Sequence, residues 1–186
     1  MLKKSQAFTM IEVLTALSII LIFTMIALPQ INQLFVSNQD EVLLSQLQDT
    51  IQIAIQAAYA KNTAVVMCQS EHHFICDSKQ QKRWAIFFDE NHDGMMHNQH
   101  QQFAVIQLKF NQRNTLHWRL FPIRRLYLLF NPEDTLHSSN GTFWYCHFDD
   151  LSPVWALIMN QSGRVRIVRR DRYGNIIDAE GKILHC

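Results

Sequence analysis

Five arginines, Arg164, Arg166, Arg169, Arg170 and Arg172, fall within nine residues and are opposed there only by Asp171. Guanidinium groups at this density suit phosphate oxygens, which they contact without reading base sequence. They suit equally a solvated face or a contact between protein subunits. The two-residue spacing puts Arg164 and Arg166 on one face of a strand, with Val165 and Ile167 turned inward. Arg119, Arg124 and Arg125 are candidates to extend the patch. A second candidate is Asp89-x-Asn91-x-Asp93-Gly94, which copies the first half of a calcium-binding EF-hand loop. The twelfth position of that loop must be a bidentate Glu, and here it is His100. The segment is therefore read as a turn in which Asp and Asn cap backbone N–H groups. His92, His97 and His100 share the loop but have no Cys partner at a zinc-binding spacing. No metal and no cofactor is expected. No nucleophile has a supporting base, and the strand–turn–helix motif of a hydrolase is missing, so no enzyme is expected.

A third feature is a carboxylate in the wrong solvent. Phe8 to Leu28 is a 21-residue apolar run interrupted by Thr9, Glu12, Thr15, Ser18 and Thr24. As a helix this length crosses a hydrocarbon core of roughly 30 Å. Glu12 inside it costs about 1–3 kcal/mol, and such residues mark function. Lys3 and Lys4 precede the run, and the first charges after it are Asp40 and Glu41. The positive-inside bias then leaves the N-terminus in the cytoplasm and carries the rest across the membrane. A secretory signal has a shorter apolar core and a small-x-small cleavage site, which Met25-Ile26-Ala27 fits poorly. A plain anchor gives no reason for Glu12.

The segment Lys3-Lys4-Ser5-Gln6-Ala7-Phe8-Thr9-Met10-Ile11-Glu12 resembles the N-terminal signal of the type IV prepilin superfamily. The resemblance implies cleavage between Ala7 and Phe8 by a membrane-embedded prepilin peptidase, N-methylation of Phe8, and retention of the apolar helix. The family nearly always has Gly where this chain has Ala7, so slower processing is expected. It also implies that Glu12 pairs with the Phe8 amine of a neighbouring subunit. Two charges costly alone in an apolar environment then compensate each other and set axial register. Pro29 sits where pilin helices commonly carry a proline, and should bend the helix.

The remainder has the composition of a soluble domain. The chain carries 17 basic and 16 acidic residues; without Lys3 and Lys4 the balance is 15 to 16. Nothing global points to nucleic acid, so any such partner must use a local patch. Leu34, Leu44, Leu47, Ile51, Ala54, Ile55, Ala58 and Tyr59 recur at helical steps, predicting one helix from about 9 to 60. From residue 62 the period falls to two. Thr63–Cys68, Phe74–Asp77, Trp84–Phe88, Phe103–Lys109, Thr115–Leu120, Leu126–Phe130, Thr142–Phe148, Val154–Asn160 and Arg164–Val168 read as strands. Asp93-Gly94, Asn140-Gly141 and Ser162-Gly163 read as hairpin turns. The expected fold is α+β, a long helix on a β-rich head. Its parts are a leader (1–7), a transmembrane helix (8–28), an amphipathic continuation (29–61) and a periplasmic head (62–186). Four cysteines lie in the exported part, where disulfides form. Of three pairings, Cys68–Cys76 and Cys146–Cys186 are expected, the first closing a short hairpin and the second tying down the C-terminus.

Several stretches resemble the H-type pseudopilins and FimT/FimU-like minor pilins. They are Trp84-Ala85-Ile86-Phe87-Phe88-Asp89-Glu90-Asn91-His92-Asp93-Gly94, Phe130-Asn131-Pro132, Asn140-Gly141-Thr142-Phe143 with Cys146, and Ser162-Gly163-Arg164-Val165-Arg166. Glu133 stands where the group often has Gly. The resemblance implies a low-abundance, non-catalytic subunit at or near the tip of a type IV pilus or type II secretion pseudopilus. Its partners would be other pilins, the prepilin peptidase/N-methyltransferase and inner-membrane lipid. In FimT-like members the Gly-Arg-x-Arg segment is associated with DNA capture for natural transformation, which makes double-stranded DNA a second expected partner.

Overall fold

The computed structural model describes residues 9–70, 76, 82–121, 126–133 and 138–186, without the side chains of 26–30, 32 and 33. Among the described residues the order is one α-helix, α1 (Met10–Lys61), then β1 (Val65–Gln69), β2 (Arg83–Phe88), a 3-10 turn (Gln99–Gln101), β3 (Gln102–Gln107), β4 (Thr115–Phe121), β5 (Tyr127–Phe130), β6 (Asn140–Cys146), β7 (Trp155–Met159) and β8 (Val165–Arg169). The fold is α+β and pilin-like: an N-terminal helix followed by a head of two antiparallel sheets. Of the nine strands expected, eight are found. Phe74–Asp77 lies outside the described residues except for Cys76, which is in no strand. The helix assignment runs through Pro29.

Two compact units divide the chain, Met1–Glu41 and Val42–Cys186. In the first, the described large apolar side chains lie open: Ile11, Leu14, Leu17, Ile20, Phe23 and Leu34 are all more than half exposed. Among the described residues, no helix is long and apolar enough to cross a membrane. The described side chains of the Phe8–Leu28 run reach only from Thr9 to Met25, short of the roughly 20 residues a bilayer core needs.

In the second unit the helical spacing does what it predicts. Leu43, Leu44, Leu47, Ile51, Ala54 and Ala58 are buried in one stripe, whereas Tyr59, expected in that stripe, is exposed. Two four-stranded sheets, ordered β3-β2-β1-β5 and β4-β6-β7-β8, join this stripe to one core. From β1 come Val65 and Met67, from β2 Trp84 and Ile86, from β6 Phe143 and Tyr145, from β7 Trp155 and Leu157. Strand β1 is buried on both faces, because Val66 and Cys68 enter a smaller cluster with Phe87 and Leu129.

Asn140-Gly141 is not the expected turn. Both residues open β6, where Gly141 pairs with Leu120 and Met159. A Cβ on Gly141 would stand 2.5 Å from the Arg119 carbonyl oxygen, so the glycine serves close strand approach. The segment after β8 folds back as a hairpin: Asp178 N–H donates to the Lys182 carbonyl, Leu184 N–H donates to that of Ile176, and Ile177 pairs with Ile183. Ile176 and Leu184 pack on Ala156 of β7, with Trp144 and Val168 beside them. The hairpin thus covers the face of the second sheet turned away from the main core.

The structure joins Cys68 to Cys76 and Cys146 to Cys186, as expected. The second bond fixes the end of the hairpin to the last residue of β6. Trp144 Nε1 donates to the His185 carbonyl at 3.1 Å, and Cys186 N–H donates to that of Leu151 at 3.1 Å.

Candidate functional site

Two regions carry candidate site residues, the start of α1 and the segment around β8. Thr9 opens the helix. Its hydroxyl accepts from Glu12 N–H at 3.4 Å, and its carbonyl accepts from Glu12 and Val13 N–H at 3.1 and 3.3 Å. Thr-x-x-Glu is the pattern of a helix cap, and a carboxylate in the first turn complements the helix dipole. The other hydroxyls of the apolar run return to the backbone. Thr15 donates to the Glu12 carbonyl, Ser18 to that of Leu14 and Thr24 to that of Leu21, at 3.0, 2.8 and 2.8 Å. These side chains are satisfied inside their own helix, so an apolar environment costs them little. Glu12 differs: among the described residues its carboxylate has no partner. It stands between exposed Ile11 and Val13.

Residues 2–28 match the prokaryotic N-terminal methylation motif.

The match supports the type IV prepilin superfamily, whose members are structural filament subunits. A prepilin signal implies a membrane-anchored precursor, processing by a peptidase and assembly with other pilins. No curated protein and no solved structure is similar to the chain. Ala7 and Phe8, the expected cleavage and methylation positions, lie outside the described residues.

The β8 region is built on a tight turn. Asn160 N–H donates to the Arg164 carbonyl at 3.1 Å, and Gly163 N–H to that of Asn160 at 3.0 Å. The Asn160 side chain accepts from Arg164 N–H and the Ser162 hydroxyl, both at 2.9 Å. Gly163 has φ +76, and a Cβ there would stand 2.4 Å from Ile55 Cδ1 on α1. The Ser162-Gly163 turn is as expected, and its glycine both supplies the left-handed backbone and lets the turn press on the helix. Gly163→Ala is expected to destabilise the head by about 2 kcal/mol, combining backbone strain with overpacking. Urea unfolding followed by tryptophan fluorescence measures this. An unchanged midpoint would show that the turn is not held against α1.

The arginines separate into three kinds. Arg164, Arg166 and Arg172 are exposed, and among the described residues none pairs with their side chains. Arg170, expected in the patch, is a structural brace. Its Nε donates to the Pro153 carbonyl at 2.7 Å, and its Nη2 to the Ser152 carbonyl at 2.6 Å and Asp150 Oδ2 at 2.7 Å. Arg169 is also engaged. Arg119 pairs with Asp178, whose side chain is 1% exposed. Burial pushes the Asp178 carboxyl up, but N–H donation from Lys182 and Glu180 together with the Arg119 guanidinium outweighs it and holds it below the usual carboxylate range. Arg124 and Arg125 lie outside the described residues. Ile167 does not turn fully inward, being 38% exposed, because β8 is the free edge of its sheet. Val165 packs on the main core and Val168 on the hairpin cluster.

The Asp89 loop is a capping turn. Asp89 is buried and accepts from Asp93 N–H at 3.2 Å and Gly94 N–H at 2.9 Å. Asp93 bonds the His97 ring and accepts from Met95 N–H, and these contacts, the His97 bond foremost, hold its carboxyl below the usual range. Among the described residues no group of three or more His, Cys, Asp and Glu is placed to hold a metal. The Arg119–Asp178 pair and the bracing role of Arg170 have no signature in the sequence, since each partner lies many residues away.

Proposed function

We propose that the chain is a minor pilin or pseudopilin of the H-type and FimT/FimU-like group, a non-catalytic subunit at or near the tip of a type IV pilus or type II secretion pseudopilus. The observation that carries this is the N-terminal methylation motif over residues 2–28, on a helix that places Glu12 in its first turn and is followed by a two-sheet head. The leader (1–7) is removed at Ala7–Phe8, and Phe8 is N-methylated. The 8–28 helix holds the subunit in the inner membrane with its head (62–186) in the periplasm, until it enters the filament beside other pilins. Glu12 then meets the Phe8 amine of a neighbour. Glu12→Ala is expected to leave processing intact while reducing the subunit in sheared filaments at least about tenfold, since one unpaired ammonium remains in an apolar bundle. Immunoblots of filament and membrane fractions measure it, and undiminished incorporation contradicts the pairing.

A second reading is favoured by the exposed Arg164, Arg166 and Arg172. They give the head a sequence-indifferent contact for the phosphates of double-stranded DNA, as a receptor for DNA uptake.

A further inference from the structure

The face of the second sheet turned away from the main core is covered over part of its length. Directly opposite residues of neighbouring strands share a face. The registers therefore set His117, Trp144, Ala156 and Val168 in one row across this face. Ile176 and Leu184 of the C-terminal hairpin pack on that row. The next row is Arg119, Thr142, Ile158 and Arg166. Instead of packing under the hairpin, its first three members line a cleft of about 380 Å³, within the range of ligand pockets. Asp178 and Glu180 of the hairpin turn form a wall of the cleft. Phe121, two residues along β4 from Arg119 and on the same face, lines it as well and is 60% exposed.

Inside the cleft the charges cancel, because Arg119 pairs with Asp178 and Lys182 with Glu180. The excess positive charge stands beside it. Arg166 closes the row next to Ile158, about 14 Å from Arg119 at roughly 4.8 Å per strand. Arg164 follows two residues away in the same alternation. Both are exposed, with no side-chain partner among the described residues. A neutral, largely apolar cleft with an open aromatic ring, flanked by exposed guanidinium groups, has the two parts of a single-strand nucleic-acid site. The cations hold the phosphate backbone, and the ring stacks an unpaired base of any identity. An intact duplex offers the phosphates but keeps its bases stacked inside.

We propose that this face takes a single-stranded end of DNA, with a base stacked on Phe121 in the cleft and the adjacent phosphates on Arg164 and Arg166. The inference rests on the DNA-receptor reading and deepens it. Arginines alone meet any duplex, whereas the cleft makes the head prefer DNA with an unpaired tail. An acidic peptide would bring carboxylates against Asp178 and Glu180, but a base enters uncharged.

The test is fluorescence anisotropy of the full chain, purified in detergent, with three labelled duplexes. One is blunt, one carries a single-stranded tail of about six nucleotides, and one carries a tail of equal length made of abasic sugar phosphates. The tailed duplex is expected to bind at least about fivefold tighter than the blunt one, and the abasic tail, equal in charge, should not share the gain. Phe121→Ala should abolish the preference for the tail, and Phe121→Trp should keep it. Neither should move the unfolding midpoint, since the side chain is mostly in solvent. Equal binding of blunt and tailed DNA, an equal gain from the abasic tail, or a preference that survives Phe121→Ala overturns the inference. Each of these leaves the DNA-receptor reading standing, because the duplex is still bound. Absence of binding to all three duplexes removes that reading and the inference with it.

Discussion

Cys186→Ser is expected to remove about 4 kcal/mol from the stability of the head, by the chain-entropy model for a loop with a sequence separation of 40. Domains of this size have only roughly 5–15 kcal/mol in total, so the variant should be near the edge of folding. The loss does not stop at the covalent bond. Without it the hairpin carrying Ile176, Asp178 and Leu184 is held by packing on Ala156, the Arg119 ion pair and the Trp144 indole bond. Its departure would leave Trp144 and Ala156 open to water. Cys76→Ser should cost less, about 2.5 kcal/mol, because its separation is only 8. Urea unfolding of both variants under oxidising conditions tests the order. An equal or larger loss for Cys76→Ser would show that the hairpin is held without its disulfide.

Arg164→Gln with Arg166→Gln is expected to flatten the dependence of DNA affinity on salt. Each phosphate contact contributes about 0.9 to the slope of log K against log salt, so two contacts contribute roughly 1.8. Between two salt concentrations tenfold apart, this is about a 60-fold change in relative affinity, the largest binding effect expected of the chain. Both side chains are exposed, so the unfolding midpoint should not move. Arg170→Gln should act in the opposite way. It breaks the brace to Asp150, Ser152 and Pro153 and lowers stability, with only a secondary effect on binding. Fluorescence anisotropy with a labelled duplex over a salt series gives the slopes. An unchanged slope for the double variant, or no binding by wild type at low salt, removes DNA from the account and leaves a structural subunit.

Local periodicity carries far in this chain, and its failures share a cause. The helix from about 9 to 60 is found as Met10–Lys61, and eight strands stand within a few residues of where alternation puts them. The helix stripe and strand β3 each report a single dominant solvent boundary, which is what periodicity measures, whereas β1 and β7, buried on both faces, are marked instead by short apolar runs between turn signals. Asn140-Gly141 misleads because the dipeptide favours a turn locally, while the Arg119 backbone alongside needs a residue without a side chain. Tyr59 follows the helical step yet lies beyond the edge of the core that Ala58 closes. Arg170 and Arg172 are indistinguishable as letters, but one is a brace and the other has no side-chain partner among the described residues. Only the position of the 147–154 loop, fixed by a different pair of strands, separates them. Glu12 was legible because a carboxylate in an apolar run needs no tertiary information to be out of place.

Intact and peptide mass spectrometry of the protein extracted from membranes tests the prepilin account most directly. The N-terminal peptide is expected to begin at Phe8, without residues 1–7, and to carry the mass of one added methyl group. A small fraction of uncut precursor is compatible with Ala7 at the cleavage site. A main species that begins at Met1 or Lys3 would contradict the account.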